Sequence, residues 1–89
     1  MINYQGGVSH TLDIKMEFHK GILFVELNGD LNIDTCDELK HNVIDVFDGI
    51  SSIVYDLSKI KKIDNHGINL LKLSDQICRK NNGKALIIL

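Results

Sequence analysis

Strand spacing and helix spacing alternate along this chain, and that alternation limits the fold more than any other feature. Leu12-Asp-Ile-Lys-Met-Glu-Phe18 is apolar at every second residue, the period of a strand with one solvated face. His19-Lys20-Gly21 supplies a turn. Ile22 to Leu27 is a nearly continuous apolar run, expected for an interior strand antiparallel to the first. Helical spacing follows at Cys36, Leu39, Val43, Val46 and Phe47. Thr35-Cys-Asp-Glu38 fits a capping box at the start of that helix, and Gly49 a left-handed stop beyond its end. Ser52 to Leu57 reads as the next strand. Gly67 to Lys80 reads as the next helix, with Leu70, Leu71, Ile77 and Cys78 inward and Asn81-Asn82-Gly83 closing it. Ala85 to Leu89 is a last, wholly apolar strand.

The expected architecture is therefore α/β, in the order β-β-α-β-α-β: an opening antiparallel hairpin, then parallel strands with two helices. Right-handed crossovers lay both helices over one face of such a sheet. Residues 12–89 form a single domain in this reading, and residues 1–11, which lack periodicity, a loosely ordered lead-in. The final strand is apolar on both sides and no helix follows it, so a missing cover is expected from a partner, a second copy or the N-terminal segment.

Composition narrows the function. The 89 residues carry a formal net charge of −2, without the basic footprint that nucleic acid or an anionic membrane requires. No run reaches the roughly 18 apolar residues of a membrane span, and the N-terminus has no signal-peptide pattern. Cys36 and Cys78 have no CxxC context and read as small core residues in a reducing, cytoplasmic compartment. His10, His19 and His41 fall in different elements, without metal-ligand spacing. Neither a cofactor nor a metal is expected.

The informative junction is Asp64-Asn65-His66-Gly67, between a strand and the second helix. The first turn of a helix has unpaired N–H groups and the positive end of the dipole. Asp64 suits an N-cap, with Asn65 as the competing cap and a direct partner contact as the other reading. His66 has three readings: an exposed polar residue of the first turn, a residue that docks on a partner, or a phosphoacceptor or base. No nucleophile or second acid–base residue lies nearby in sequence, so enzymatic activity is not expected. Lys59, Lys61 and Lys62 form a basic approach to the loop.

Three stretches together resemble the STAS domain of bacterial anti-sigma factor antagonists. Gly29-Asp-Leu-Asn32 followed by Thr35 is similar to the family's Gly-x-Leu-Asp segment, Ile53 to Leu57 to its central strand, and Ile63-Asp-Asn-His-Gly67 to its Asp-Ser-Ser-Gly phosphorylation loop. The resemblance implies a bacterial, cytoplasmic regulator of transcription that binds a kinase-type anti-sigma factor through residues 58–75, with Asp30, Asn32, Asp64, Asn65, His66, Gly67 and Asn69 as contacts. In the family, the Ser before the Gly is phosphorylated by that partner, and the phosphate breaks the contact by repulsion and desolvation. Here that position is His66, Asn65 replaces the other Ser, and Asn32 stands where the family has Asp. The alternative implied role is a structural subunit of a larger STAS-containing complex, stressosome-like or accessory to a transporter, with a homodimer or other STAS subunits as partners. Family members also continue into a further helix beyond the strand that ends at Leu89.

Overall fold

The computed structural model describes residues 2–4, 12–44 and 50–89. Five strands form one sheet in sequence order: β1 (Ile2–Tyr4), β2 (Leu12–His19), β3 (Ile22–Leu31), β4 (Ser52–Ile63) and β5 (Ala85–Ile88). β2 pairs antiparallel with both β1 and β3, and β3, β4 and β5 run parallel. Helix α1 (Ile33–Leu39) continues into a π-helical turn at Lys40–Ile44, and α2 spans Asn65–Lys80. The mixed sheet and element order agree with the sequence reading. The strand at Ile2–Tyr4, which falls inside the segment read as a lead-in, is an addition. Val46, Phe47 and Gly49, and the rest of that segment apart from residues 2–4, lie outside the described residues.

The β2–β3 hairpin turns on Lys20 and Gly21, both at positive φ (51° and 81°). Two such residues make the tight turn whose twist matches the strands it joins. From there the pleat separates two faces. Leu12, Ile14, Met16, Leu23, Val25, Leu27, Ile53, Tyr55 and Leu57 are buried beneath the helices, in one core with Leu39, Val43, Leu70 and Cys78. Of the positions expected inward on α2, Leu70 and Cys78 are buried while Leu71 and Ile77 are only half-buried.

Ser74 completes the buried stripe of α2 at the i+4 spacing between Leu70 and Cys78. Its hydroxyl donates to the Leu70 carbonyl at 3.0 Å and lies 2.7 Å from the Tyr55 hydroxyl. With Ser74 donating to Leu70, Tyr55 donates to Ser74, so both buried hydroxyls are satisfied. Burial pushes the Tyr55 phenol far above its ordinary value, and it remains neutral.

Three sequence-level boundaries move. α1 begins at Ile33, capped by Asn32 rather than Thr35. The Asn32 side chain accepts from the Asp34 and Thr35 N–H groups, while Thr35 Oγ1 accepts from the Asn32 N–H at 3.0 Å. The capping box exists, but it is shifted by three residues, because Thr35 is itself the reaching partner. β3 continues past Leu27 to Leu31. β4 runs to Ile63, so residues 58–63, read as loop, are strand. Two irregularities in the β3–β4 ladder, between Glu26 and Asn28 and between Gly29 and Asp30, carry extra residues on β4. They break the period-two pattern that sequence alternation relies on.

The end of α2 forms a Schellman motif. Gly83 N–H bonds to the Cys78 carbonyl at 2.8 Å and Asn82 N–H to Arg79 at 3.2 Å, with Asn82 at φ 64°. Gly83 is required for a different reason: a Cβ there would collide with the Ser51 carbonyl. Asp75 then ties β5 to the helix, accepting from Ala85 N–H at 2.9 Å and Arg79 Nε at 2.7 Å.

Gly83→Ala is expected to destabilise the fold by about 2–3 kcal/mol, as overpacking against rigid backbone does. Urea unfolding measures this, and a change below about 0.5 kcal/mol would mean that the β5 approach is looser than described.

Candidate functional site

The candidate site lies at the C-terminal end of the two central parallel strands. Leu31 ends β3 beside Ile63 at the end of β4, and one residue further on each chain becomes a helix N-cap, Asn32 for α1 and Asp64 for α2. The Asp64 N–H donates to the Leu31 carbonyl at 3.1 Å, joining the two caps across the strand ends. Two helix starts therefore converge on one patch, where open α/β sheets carry their ligands.

Asp64 is the hub. Its Oδ1 accepts from the Gly67 N–H at 3.1 Å, which identifies it, rather than Asn65, as the α2 cap. Its Oδ2 lies 3.6 Å from His66 Nδ1. The bond from Gly67, helped by the neighbouring His66 and the N–H groups of His66 and Ile33, holds its carboxyl below the usual carboxylate range although burial acts the other way. Cys36 lies close enough for the Asp64 charge to add to burial in raising its thiol, so the first turn of α1 stands next to the α2 cap. Cys78 is fully buried, and both thiols are free.

Gly67 is buried in the first turn of α2. A Cβ at this position would stand 2.8 Å from Leu31 Cγ and 2.9 Å from the Leu31 carbonyl and Ile63 Cγ1. Its missing side chain is what lets α2 start directly against the end of β3. Asn65, His66 and Asn69 are exposed, and Asn69, four residues after Asn65 and three after His66, neighbours both on the helix surface. Asn32 is half-buried and occupied by capping. Asp30 alternates with Leu31 and so stands on the sheet face away from the helices; its carbonyl accepts from Thr35 Oγ1 at 2.9 Å. The structure thus brings Asn32, Asp64, Asn65, His66, Gly67 and Asn69 together and turns Asp30 aside.

Sequence reasoning missed the apolar part of the patch. Ile33 is 59% exposed, Ile68 40% and Ile63 39%. Ile33 could have been found had Asn32 been recognised as the cap, since helical spacing from the buried Thr35, Leu39 and Val43 turns it away from the core. Among the described residues no group of three or more His, Cys, Asp or Glu could hold a metal, and no helix is long and apolar enough to cross a membrane.

The family model for the STAS domain matches residues 13–88. The chain belongs to the STAS domain family. No curated protein matches it in sequence. Solved structures do match in fold. One is an anti-sigma factor antagonist STAS domain from Rhodobacter sphaeroides, with TM-score 0.71 and 15% identity over 88% of this chain and 86% of that one. An anti-sigma factor antagonist from Mycobacterium paratuberculosis matches with TM-score 0.75 and 22% identity over 86% of this chain and 66% of that one. The Bacillus cell fate determinant SpoIIAA in its phosphorylated form matches with TM-score 0.70 and 15% identity over 81% of this chain and 68% of that one. In this STAS domain the strand–cap–helix junction carries Asp64-Asn65-His66-Gly67, with no hydroxyl at residues 65 and 66.

Two substitutions test the junction. Gly67→Ala is expected to cost about 1–3 kcal/mol in urea unfolding, since Leu31 main chain cannot retreat without disturbing the ladder. For Asp64, the folded-state pKa is depressed, so its contribution to stability is fully present above the unfolded value of about 3.9 and is lost as pH falls through the lower folded value. The stability gap between wild type and Asp64→Ala should therefore be constant from pH 7 to about 5 and shrink below about pH 4, read by thermal unfolding across pH. A gap that stays constant down to pH 2 would show that the charge does not matter.

Proposed function

We propose that this STAS domain is an interaction module of the anti-sigma factor antagonist type, which binds a protein partner through the patch around Asp64 and is not switched by phosphorylation at the usual position. The partner is an anti-sigma factor of the kinase type. The observation that supports this most strongly is the composition of the patch: exposed Ile33, Ile63 and Ile68 beside exposed Asn65, His66 and Asn69, held by two adjoining helix caps. A mixed apolar and polar surface on a rigid frame is what a specific, reversible contact uses. The likeness to antagonists adds to the same reading.

His66 stands at the position of the family's phosphoacceptor and is exposed, 3.6 Å from Asp64. A Ser or Thr hydroxyl is absent there, so the off-signal that a phosphate would supply through repulsion and desolvation cannot arise at this residue by hydroxyl phosphorylation. The binding-competent state is then the resting state, and control passes to how much of the protein or partner is present. Lys59, Lys61 and Lys62 in the second half of β4 are exposed, but Lys59 pairs with Glu26 at 3.3 Å and Lys62 stands beside Asp30 on the face away from the helices, so the basic approach read from sequence does not gather at the patch.

His66→Glu imitates the missing negative charge. In pull-downs from the source organism, wild type is expected to capture an ATP-binding anti-sigma factor, the Glu variant at least about tenfold less of it, and the recovered wild-type bait to weigh its unmodified mass. Equal capture by both baits, or a bait carrying phosphate at this junction, would overturn the proposal.

A further inference from the structure

We propose that two copies of this chain join through the outer edge of β5, the two strands pairing antiparallel about a two-fold axis at Ile87 so that the sheets become continuous. β5 forms one edge of the sheet and β1 the other. Its pairing with β4 fixes which main-chain groups are free. The Ile53 N–H bonds to the Lys84 carbonyl at 3.3 Å, and Ile53 stands opposite Ala85 in a parallel ladder. Alternation then turns the N–H and C=O groups of Leu86 and Ile88 towards β4, and those of Ala85, Ile87 and Leu89 away from it. The Ala85 N–H is taken by Asp75 at 2.9 Å. Among the described residues no strand takes up the rest.

These groups select the occupant. Hydrogen-bonding groups spaced along an extended edge are met by another strand and not by a helix, whose own N–H and C=O groups are already paired. Edges that stay single are guarded by a charge, a proline or a bulge. Ala85-Leu-Ile-Ile-Leu89 has none of these, so nothing in it resists a strand like itself, and every copy brings one. About the axis, Ile87 exchanges both of its bonds with the same residue of the second copy. Each Leu89 N–H reaches an Ala85 carbonyl, and the Asp75 bond to the Ala85 N–H stays in place. The contact consumes both β5 edges and closes, whereas β5 on the β1 of another copy would propagate. Side chains fit the same arrangement. Leu86 is 46% exposed, Ile87 42%, Ile88 49% and Leu89 93%. On the helix side Ile87 floors a groove of about 500 Å³ with Ile68, Leu71, Lys72 and Asp75, and the second copy's groove would adjoin it. No charges face each other along the strands, and Lys72, the cation lining the groove, is exposed, its long stem keeping the ammonium in water. Pairing at this edge does not depend on the function proposed for the Asp64 patch.

Sedimentation equilibrium of the full chain from about 5 to about 500 μM is expected to show a monomer–dimer equilibrium in the micromolar range, as suits a contact below about 1,200 Å². Amide exchange reads the pairing itself: Ile87 and Leu89 should gain at least about tenfold protection as concentration rises, while Leu86 and Ile88 are protected throughout. Ile87→Pro removes an outward N–H and no bond to β4, a place where an edge strand tolerates proline. It should weaken the dimer at least about tenfold, with amide dispersion confirming the fold. Leu89→Glu, at an exposed residue outside the core, brings a carboxylate towards Asp75 of the other copy and should weaken it similarly, even where Ile87→Pro disturbs the fold. Phe24→Gln, on the helix-free face of β3, should leave the dimer intact. A monomer at about 500 μM, a dimer that survives either β5 substitution, a dimer that Phe24→Gln dissolves, or species that grow beyond the dimer would each rule this interface out.

Discussion

The parallel ladder between β3 and β4 is the constraint on which the rest of this molecule depends. Because Leu31 and Ile63 end the two strands side by side, the helices that follow must start side by side too. The Asp64 N–H on the Leu31 carbonyl locks that arrangement, and Gly67 makes it sterically feasible. An antiparallel pairing of the same two strands would put the helix starts at opposite ends of the sheet, and the Asp64 patch would not exist.

The same ladder explains how a small domain keeps its geometry. With 89 residues, only about 60% of the chain's surface is removed from water on folding, so apolar burial alone leaves a thin margin. Directional bonds supplement it where helix meets sheet: Tyr55 with Ser74 in the core, Asp75 with Ala85 at the β5 edge, Asn32 and Asp64 at the caps. Each orients an element more than it contributes to stability, since the net worth of one such bond is about 1 kcal/mol. Where they orient, the exposed side chains of the patch are held in fixed relation to one another.

Much of the fold was legible from pattern. The alternation in Leu12–Phe18, the helical stripe ending in Cys78, and the Asn81-Asn82-Gly83 stop each have a local physical cause and stand where expected. The boundaries that moved did so for reasons that lie outside the local sequence. β4 extends to Ile63 because β3 is there to pair with it, and its bulges let Ile60 face inward although Lys59, Lys61 and Lys62 read as loop. Thr35 looked like a cap because Ser and Thr so often are; Asn32 competes for the same role and holds it, since its side chain reaches two N–H groups at once.

The sequence by itself determined the element types and their order, the identity of the junction residues, and the absence of a hydroxyl at His66. These follow from side-chain period, capping chemistry and composition, all of which act over a few residues. Only the tertiary structure decided which exposed residues share a surface. Ile33 and His66 lie 33 positions apart in the chain, and it is strand pairing that sets them around one carboxylate. Asp30, four residues before Asp34 and close to the patch in sequence, is turned to the other face by the pleat. The reason is physical: contacts across a sheet depend on register, and register is settled by the sum of many weak side-chain preferences rather than by any one residue.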